Sequence, residues 1–456
     1  MSARALESWL GGCGSAVAIE QSDRSSTYEE LRARADSIAG SLPDVRGRLV
    51  AVHAGDTATF VAAVLATLNR GGAALPLEAS KTLPDRARPV AVVDGSEIHE
   101  QPDPRALPEG TGLVLATSGT TAGPRLVALS AEGVSANVDA ILRYLPVADA
   151  PRTGLVVSPT YSYGLVGQIL TTLRVGGTVV SVGSDAATLA TRGVLGLSSV
   201  PASLRAIAEQ PSELRLRYVA SAGAPLDRAT IDAVRSRFGD ARFFNQYGLT
   251  EASPRVSRLE RSDAPEAFDA GSVGRAIDGV RLTVRDDRGA TLAPSVEGSI
   301  VVQSPSAMLA YLDEPEATAA ALSPHGLVTG DRGVLDGDGR LHVRGRGDDV
   351  VQVAGVRVSL REVGAFLERD PAVTEAHVVA LPARRTGSTL VAVVACDEGA
   401  VASLRERARS ELPAAARPSR FVTVAALPRT ERGKVDRAAL RSLAEGSPIA
   451  GRGNNG

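Results

Sequence analysis

Apolar segments with two different periods alternate along the first half of this chain, and that alternation constrains the fold most. Residues 26–42 place Leu31, Ala35, Ile38 and Leu42 on one helical stripe. Val50 to His53 is short and apolar and reads as a strand. Residues 57–69 return to the helical period and stop at Gly71-Gly72. Strands and helices keep alternating to about residue 250, the pattern of wound α/β sheets. After residue 270 the texture changes. Short β runs, Arg281 to Arg285 and Ser299 to Gln303, alternate with turns such as Asp286-Asp287-Arg288-Gly289 and Asp336-Gly337-Asp338-Gly339. Gly345-Arg346-Gly347-Asp348-Asp349 then separates off a compact unit. It contains a helix over Leu360 to Arg369, strands over Glu375 to Leu381 and Thr389 to Ala395, and a helix over residues 401–411. The expected fold class is α/β: a large N-terminal domain (residues 1–345) of wound α/β sheets plus a β-rich subdomain, and a small α+β C-terminal domain (346–445). The Gly- and Asn-rich end, 446–456, reads as a disordered tail.

Composition excludes several classes. The chain has 456 residues and a formal net charge of −2, with no basic block, so no nucleic-acid partner is expected. Its apolar runs are far shorter than a bilayer span, so no membrane partner is expected either. Met1 to Ser15 lacks the apolar stretch of a secretory signal. Cys13 and Cys396 lie too far apart for a disulfide framework, which fits a reducing, cytoplasmic setting. Of 50 Lys and Arg residues only Lys81 and Lys434 are lysine. A chain that uses arginine for generic charge keeps lysine where arginine does not serve, or by chance.

Four segments carry chemistry. Thr117-Ser118-Gly119-Thr120-Thr121-Ala122-Gly123-Pro124-Arg125 follows the apolar run Leu113 to Ala116. Its hydroxyls and backbone N–H groups equip it to grip phosphate oxygens. It is not a Walker A loop, because Leu126 to Leu129 follows instead of a helix, and a helix capped by Ser130 comes only afterwards. An ordinary polar surface loop fits the same residues. Asn245-Gln246-Tyr247-Gly248-Leu249-Thr250-Glu251 offers an aromatic for stacking on a base and a hydroxyl and carboxylate for phosphate and Mg²⁺. A buried tyrosine beside a solvated glutamate is the plainer reading. Thr329-Gly330-Asp331, with Arg346 one hairpin on, offers a carboxylate for ribose hydroxyls, or is only a turn. Pro428 to Arg437 sets Lys434 in a Gly-flanked basic loop, where a compact ammonium can reach a shared negative charge.

In this order and spacing the four segments resemble the adenylate-forming superfamily of acyl- and aryl-CoA synthetases, luciferases and peptide-synthetase adenylation domains. The resemblance covers about residues 25–440 and includes Gly72 to Leu77, Ser221-Ala222-Gly223-Ala224-Pro225-Leu226, Gly271 to Arg275 and Gly345 to Gly355. It implies a two-step reaction: a carboxylate attacks the α-phosphate of MgATP, and a thiol of CoA or of carrier-protein pantetheine then displaces AMP. It also implies roles. Thr117, Ser118, Gly119, Thr120 and Thr121, with Arg125, hold the β- and γ-phosphates. Tyr247 and Gly248 meet adenine beside Gly223, Ala224 and Pro225. Thr250 contacts the α-phosphate and Glu251 the Mg²⁺. Asp331 and Arg346 bind the ribose. Lys434 bridges carboxylate and α-phosphate in the transition state. Asp348 is the hinge of a mobile C-terminal domain, and Gly355 lines the pantetheine tunnel.

The chain departs from the family pattern in places. Ala122 and Leu126 replace glycines in the phosphate loop, while Arg125 keeps the charge of the usual lysine. Gln352 stands where a hinge lysine is usual. No histidine occurs in Pro159 to Gly164, and residues 78–111 are abbreviated. Tyr161, Ser162, Tyr163, Gly164, Ser221 and Asn245 are expected to surround the acyl group. The stretch Pro151 to Thr172 has no Asp or Glu to pair an α-ammonium, so an aryl or modest acyl acid is expected rather than an α-amino acid. No carrier domain follows residue 445, so the acceptor is read as free CoA, with a separate carrier protein as the alternative. The competing class is an adenylate-binding protein without turnover. Lys434 opposes it, because a binder has no use for a transition-state lysine.

Overall fold

The computed structural model describes residues 8–79, 81–117, 125–354, 356–383, 387–430 and 435–446. The chain forms two compact units, one of residues 1–329 and 334–342, the other of 330–333 and 343–456. The second unit therefore starts at Val343, upstream of the Arg346 junction read from the sequence, and it also takes in Gly330–Gly333. The division falls within two strands, Gly326–Leu335 and Leu341–Arg346, and strand residues carry no compositional mark of a boundary.

Two sheets dominate the first unit. Among the described residues one has nine strands, in the order Arg275–Ala276, Arg255–Glu260, Arg242–Gly248, Tyr218–Ser221, Gly196–Ser199, Arg152–Gly154, Thr178–Ser181, Val17–Gln21, Ser25–Thr27. The six from Arg242–Gly248 to Val17–Gln21 run parallel. The other has seven, with Leu49–Ala54, Ala73–Glu78 and Thr111–Ala116 at its centre and the short strand Ala310–Tyr311 at one edge. The β-rich texture after residue 270 is an antiparallel sheet built on Arg281–Arg285 and Gly298–Gln303.

Helix Thr57–Asn69 packs against strands of both large sheets. Its residues Phe60 to Leu68 are all buried, so it is apolar all round, as a helix must be between two covered faces. Each large side chain it buries there, such as Phe60 or Leu65, contributes about 1.5–3 kcal/mol. The Asp56 carboxylate caps its start, accepting from Thr59 N at 3.0 Å. Helix Tyr28–Ser41 begins two residues later than residue 26 because Ser25–Thr27 is an edge strand and Thr27 forms a capping box with Glu30.

In the second unit, Glu375–Ala383, Gly387–Ala395 and Arg420–Val424 form one sheet, and Val350–Val353 and Val356–Ser359 form a hairpin. Helices Leu360–Leu367 and Val401–Glu411 bury Phe366, Leu367 and Leu404 with Val378, Leu390 and Ala392 of the sheet. Gly446, the first residue of the expected tail, caps helix Arg437–Glu445 at φ 84°. The remainder of that tail, 447–456, lies outside the described residues. No helix among the described residues is long and apolar enough to cross a membrane.

Candidate active site

The first unit assembles most of its chemistry where parallel strands end. Ser199, Ser221 and Asn245 stand in register at the C-terminal ends of three neighbouring strands, the edge at which open α/β sheets bind ligands. Beyond Ser221 the chain turns through Gly223 at φ 85°, leaving Gly223, Ala224 and Pro225 exposed. Beyond Asn245 come the half-buried Tyr247, then Gly248. A Cβ at Gly248 would lie 1.8 Å from the Pro254 carbonyl oxygen, so only glycine fits this reversal. The reversal delivers the 3₁₀ turn Thr250–Ala252.

Glu251 is held at both ends. Its backbone oxygen accepts from Met308 N at 2.8 Å, and its carboxylate accepts from the Tyr311 hydroxyl at 2.8 Å. Burial, with the Glu251 charge adding to it, pushes the Tyr311 phenol well above its ordinary value, so it stays a donor. Tyr311 pairs with Val127 on the seven-stranded sheet. Glu251 thus comes from one sheet and its anchor from the other. The guanidinium of Arg125 lies 5.1 Å from the centre of the Tyr311 ring, and its Nε donates to Glu314 at 2.8 Å. On either side of residues 118–124, Thr117 N donates to Arg125 O at 2.9 Å. Ser118, Gly119, Thr120 and Thr121 lie outside the described residues, as do Gly355, Lys434 and the side chain of Asp348.

The expected acyl segment reaches the same region. Ser162 Oγ is 3.4 Å from Thr250 Oγ1. The Tyr163 hydroxyl lies 3.2 Å from the carbonyl oxygens of both Ser199 and Ala220, and burial raises its pKa. Gly164 allows a close approach, since a Cβ there would meet the Ser158 oxygen at 2.1 Å. The Tyr161 hydroxyl donates to the carboxylate of Glu78. Asn245 is buried and donates to the Ser272 carbonyl at 2.9 Å, so it braces the strand end as well as lining it.

In the second unit Arg346 Nη1 lies 3.6 Å from Asp331 Oδ1. Gly330, at φ 76°, makes room for that guanidinium: a Cβ there would be 3.0 Å from Arg346 Nη2. Asp349 accepts from Arg346 N at 3.2 Å and from Arg437 Nη2 at 2.9 Å, tying the segment after the expected junction to the last helix.

Reading the sequence missed Glu78, Arg255, Tyr311, Glu314 and Asp349. Each has a partner far along the chain, Asp349 in addition to its local bond from Arg346 N, and no local pattern marks such distant pairs.

Two large α/β sheets, a separate α+β unit and the run from Tyr247 to Glu251 at the end of a parallel strand match the organisation of the AMP-binding enzymes. The chain belongs to the AMP-binding enzyme family: that family's model matches residues 80–312, and the model of its C-terminal domain matches residues 362–434. A p-hydroxybenzoic acid–AMP ligase of Mycobacterium tuberculosis is 30% identical over 395 residues, covering 81% of this chain and 55% of the ligase. This chain therefore spans little more than half of that relative's length. A sulfoacetate–CoA ligase of Cupriavidus necator is 31% identical over 394 residues, covering 83% of this chain and 75% of the ligase. The ATP-bound structure of MatB from Rhodopseudomonas palustris shares the fold, with a TM-score of 0.84 over 97% of this chain and 99% of that one at 24% identity.

Proposed function

We propose that this chain activates a carboxylic acid with ATP, forming an acyl-adenylate and pyrophosphate, and then transfers the acyl group to the thiol of CoA. The observation that carries this reading is the fixed pair Thr250–Glu251 at the end of strand Arg242–Gly248. Its carboxylate is aimed by Tyr311, and a tyrosine-backed base platform precedes it. A single positioned carboxylate suits Mg²⁺, which takes one or two protein oxygens and completes its shell with phosphate and water. Bound with ATP, Mg²⁺ neutralises phosphate charge, and Glu251 would hold it.

This chain's residues then divide the work. Tyr247 stacks on adenine against Gly223, Ala224 and Pro225, with Gly248 giving the close approach. Asp331 accepts from the ribose hydroxyls beside Arg346. Thr117 to Thr121, with Arg125, receive the β- and γ-phosphates, and Thr250 donates to the α-phosphate. Lys434 stabilises the charge that builds between the attacking carboxylate and the α-phosphate. Asp348 is the hinge that swaps Lys434 for Gly355, which then lines the pantetheine path.

The acid is read as aryl or modest acyl, not an α-amino acid. Pro151 to Thr172 has no carboxylate, and of the described carboxylates that reach it Glu78 is engaged by Tyr161 and Glu20 by Arg152. A stand-alone carrier protein in place of CoA is the second reading, and a cytoplasmic setting fits both.

The test is ATP–pyrophosphate exchange over a panel of acids, followed by thioester formation with CoA and then with a pantetheinylated carrier protein. Exchange with at least one non-amino acid, and faster thioester formation with CoA, is the expected result. No exchange with any acid overturns the adenylation reading. Exchange strongest with a common α-amino acid overturns the substrate reading.

A further inference from the structure

Arg255 opens strand Arg255–Glu260, four residues after Glu251, and is only 3% exposed. Its guanidinium lies 4.1 Å from the centre of the Tyr163 ring. No ion pair joins it to a described carboxylate, and its buried Nε has no hydrogen-bond partner among the described residues. A stacked ring recovers only part of what a buried cation loses in leaving water.

The Tyr144 hydroxyl also engages the Arg255 side chain, but other buried polar groups of these elements are unpaired among the described residues. Gln168 is 2% exposed, and neither its Oε1 nor its Nε2 has a partner among the described residues. The fully buried hydroxyls of Ser199 and Ser221 have none either. Tyr163 links the two elements: its hydroxyl reaches the Ser199 and Ala220 carbonyls, and a Cβ on Gly167, next to Gln168 in the chain, would lie 3.3 Å from Tyr163 and 3.4 Å from Arg255 Nη2. Gln168 sits in an irregular helical stretch, Leu165–Leu170, of the kind found at functional sites.

We propose that Arg255 receives a second anionic group of the substrate, so that the acid activated here is a dicarboxylate or a sulfonated carboxylate. The inference rests on the acyl-adenylating reading above. The far anionic group accepts from the Nε and Nη edge of Arg255, as carboxylates and sulfonates do from a guanidinium fork. Gln168 and the hydroxyls of Ser199 and Ser221 supply unpaired donors for its remaining oxygens. The near carboxylate is left for the α-phosphate beside Thr250. A cation here also disfavours a substrate ammonium.

ATP–pyrophosphate exchange with the full chain decides it, using malonate, succinate and sulfoacetate against propionate, butyrate and benzoate. The wild-type protein is expected to favour the dianionic acids by at least about 10-fold in kcat/KM, the lower range for a charge-assisted bidentate pair. In Arg255→Met the ratio of dianionic to neutral kcat/KM collapses, mostly through KM, and Arg255→Lys restores part of it. The wild-type measurement needs no variant, so poor folding of Arg255→Met cannot shield the idea. Exchange with neutral acids only, or an unchanged ratio in Arg255→Met, overturns this inference and leaves adenylation standing. Exchange with no acid of either class overturns both.

Discussion

Glu251 shows how a single residue is made fit for its task here. A lone carboxylate on a 3₁₀ turn samples several rotamers, but the Tyr311 hydroxyl selects one of them. Groups behind a metal ligand typically change affinity or activity 10–100-fold when removed. Tyr311→Phe keeps the ring under Arg125 and deletes only the donor. We expect adenylation to fall about 10-fold and half-saturation by Mg²⁺ to rise. Exchange assays across a Mg²⁺ titration check this, and an unaltered Mg²⁺ profile would show that the bond does not matter to metal binding. Lys434 belongs to the other unit, and the reaction proposed assigns it the charge between the carboxylate and the α-phosphate. Lys434→Ala should lower adenylate formation by about two to three orders of magnitude. Thioester formation from supplied acyl-adenylate should change far less. Equal losses in the two steps would defeat the division of labour.

At the scale of elements, the strand that carries Tyr247 is clamped by a neighbour. Arg242 donates to Glu260 at 2.8 and 2.6 Å, joining Arg242–Gly248 to Arg255–Glu260 near one end, while Gly248 and Pro254 make the reversal at the other. The hydrogen bonds from Arg242 hold the Glu260 carboxyl below its ordinary 4.5, against the opposing pull of burial. A carboxyl with a depressed folded pKa stabilises above its unfolded value and stops doing so as pH falls through the folded one. Glu260→Gln should cost about 1 kcal/mol at pH 7, discounted for the half-exposed arginine, and nothing well below pH 4.5. Chemical denaturation at the two pH values measures the difference. A second element, the 3₁₀ turn Gly347–Asp349, joins Arg346 to the hairpin Val350–Val353/Val356–Ser359. Such short connections absorb the φ/ψ change of a domain rotation. Asp348→Pro fixes φ near −65° and restricts Gly347, so the two half-reactions should be affected unequally, thioester formation more where proline locks the adenylating pose. Single-turnover rates of each step on folded protein test this, and near wild-type values in both mean that the pivot lies elsewhere.

Elements of this kind were readable before any coordinates. Helix Thr57–Asn69 has the bounds that its period and Gly71-Gly72 dictate, because start, spacing and stop are all local. The same holds for Ser130 capping Ala131–Leu142. What stayed hidden is pairing at a distance. Tyr161 with Glu78, Tyr311 with Glu251 and Arg255 with Tyr163 join separate elements, and period carries no information about which elements meet. The strand Ala310–Tyr311 was missed for a related reason: two residues are too few to show alternation.

At the scale of the whole molecule, each unit owns a hydrophobic core. Phe60, Val61 and Leu65 serve the first, and Phe366, Leu390 and Leu404 the second. Residues 1–345 alone are therefore expected to unfold cooperatively, yet to adenylate at least about 100-fold more slowly for want of Lys434. Calorimetry and exchange on that fragment check both halves of the expectation. Retained exchange would remove the second unit from the chemistry.

The bond between Glu251 and Tyr311 also governs how this protein can be recombined. The two residues are 60 positions apart, one in the turn after a strand of the nine-stranded sheet and the other on the seven-stranded sheet, so they are inherited together only if no crossover falls between them. A chimera joined within residues 252–310 takes the carboxylate at position 251 from one parent and the hydroxyl that aims it from the other. Junctions placed before Glu251 or after Leu312 keep the pair intact, so they leave the aim of this carboxylate unaltered.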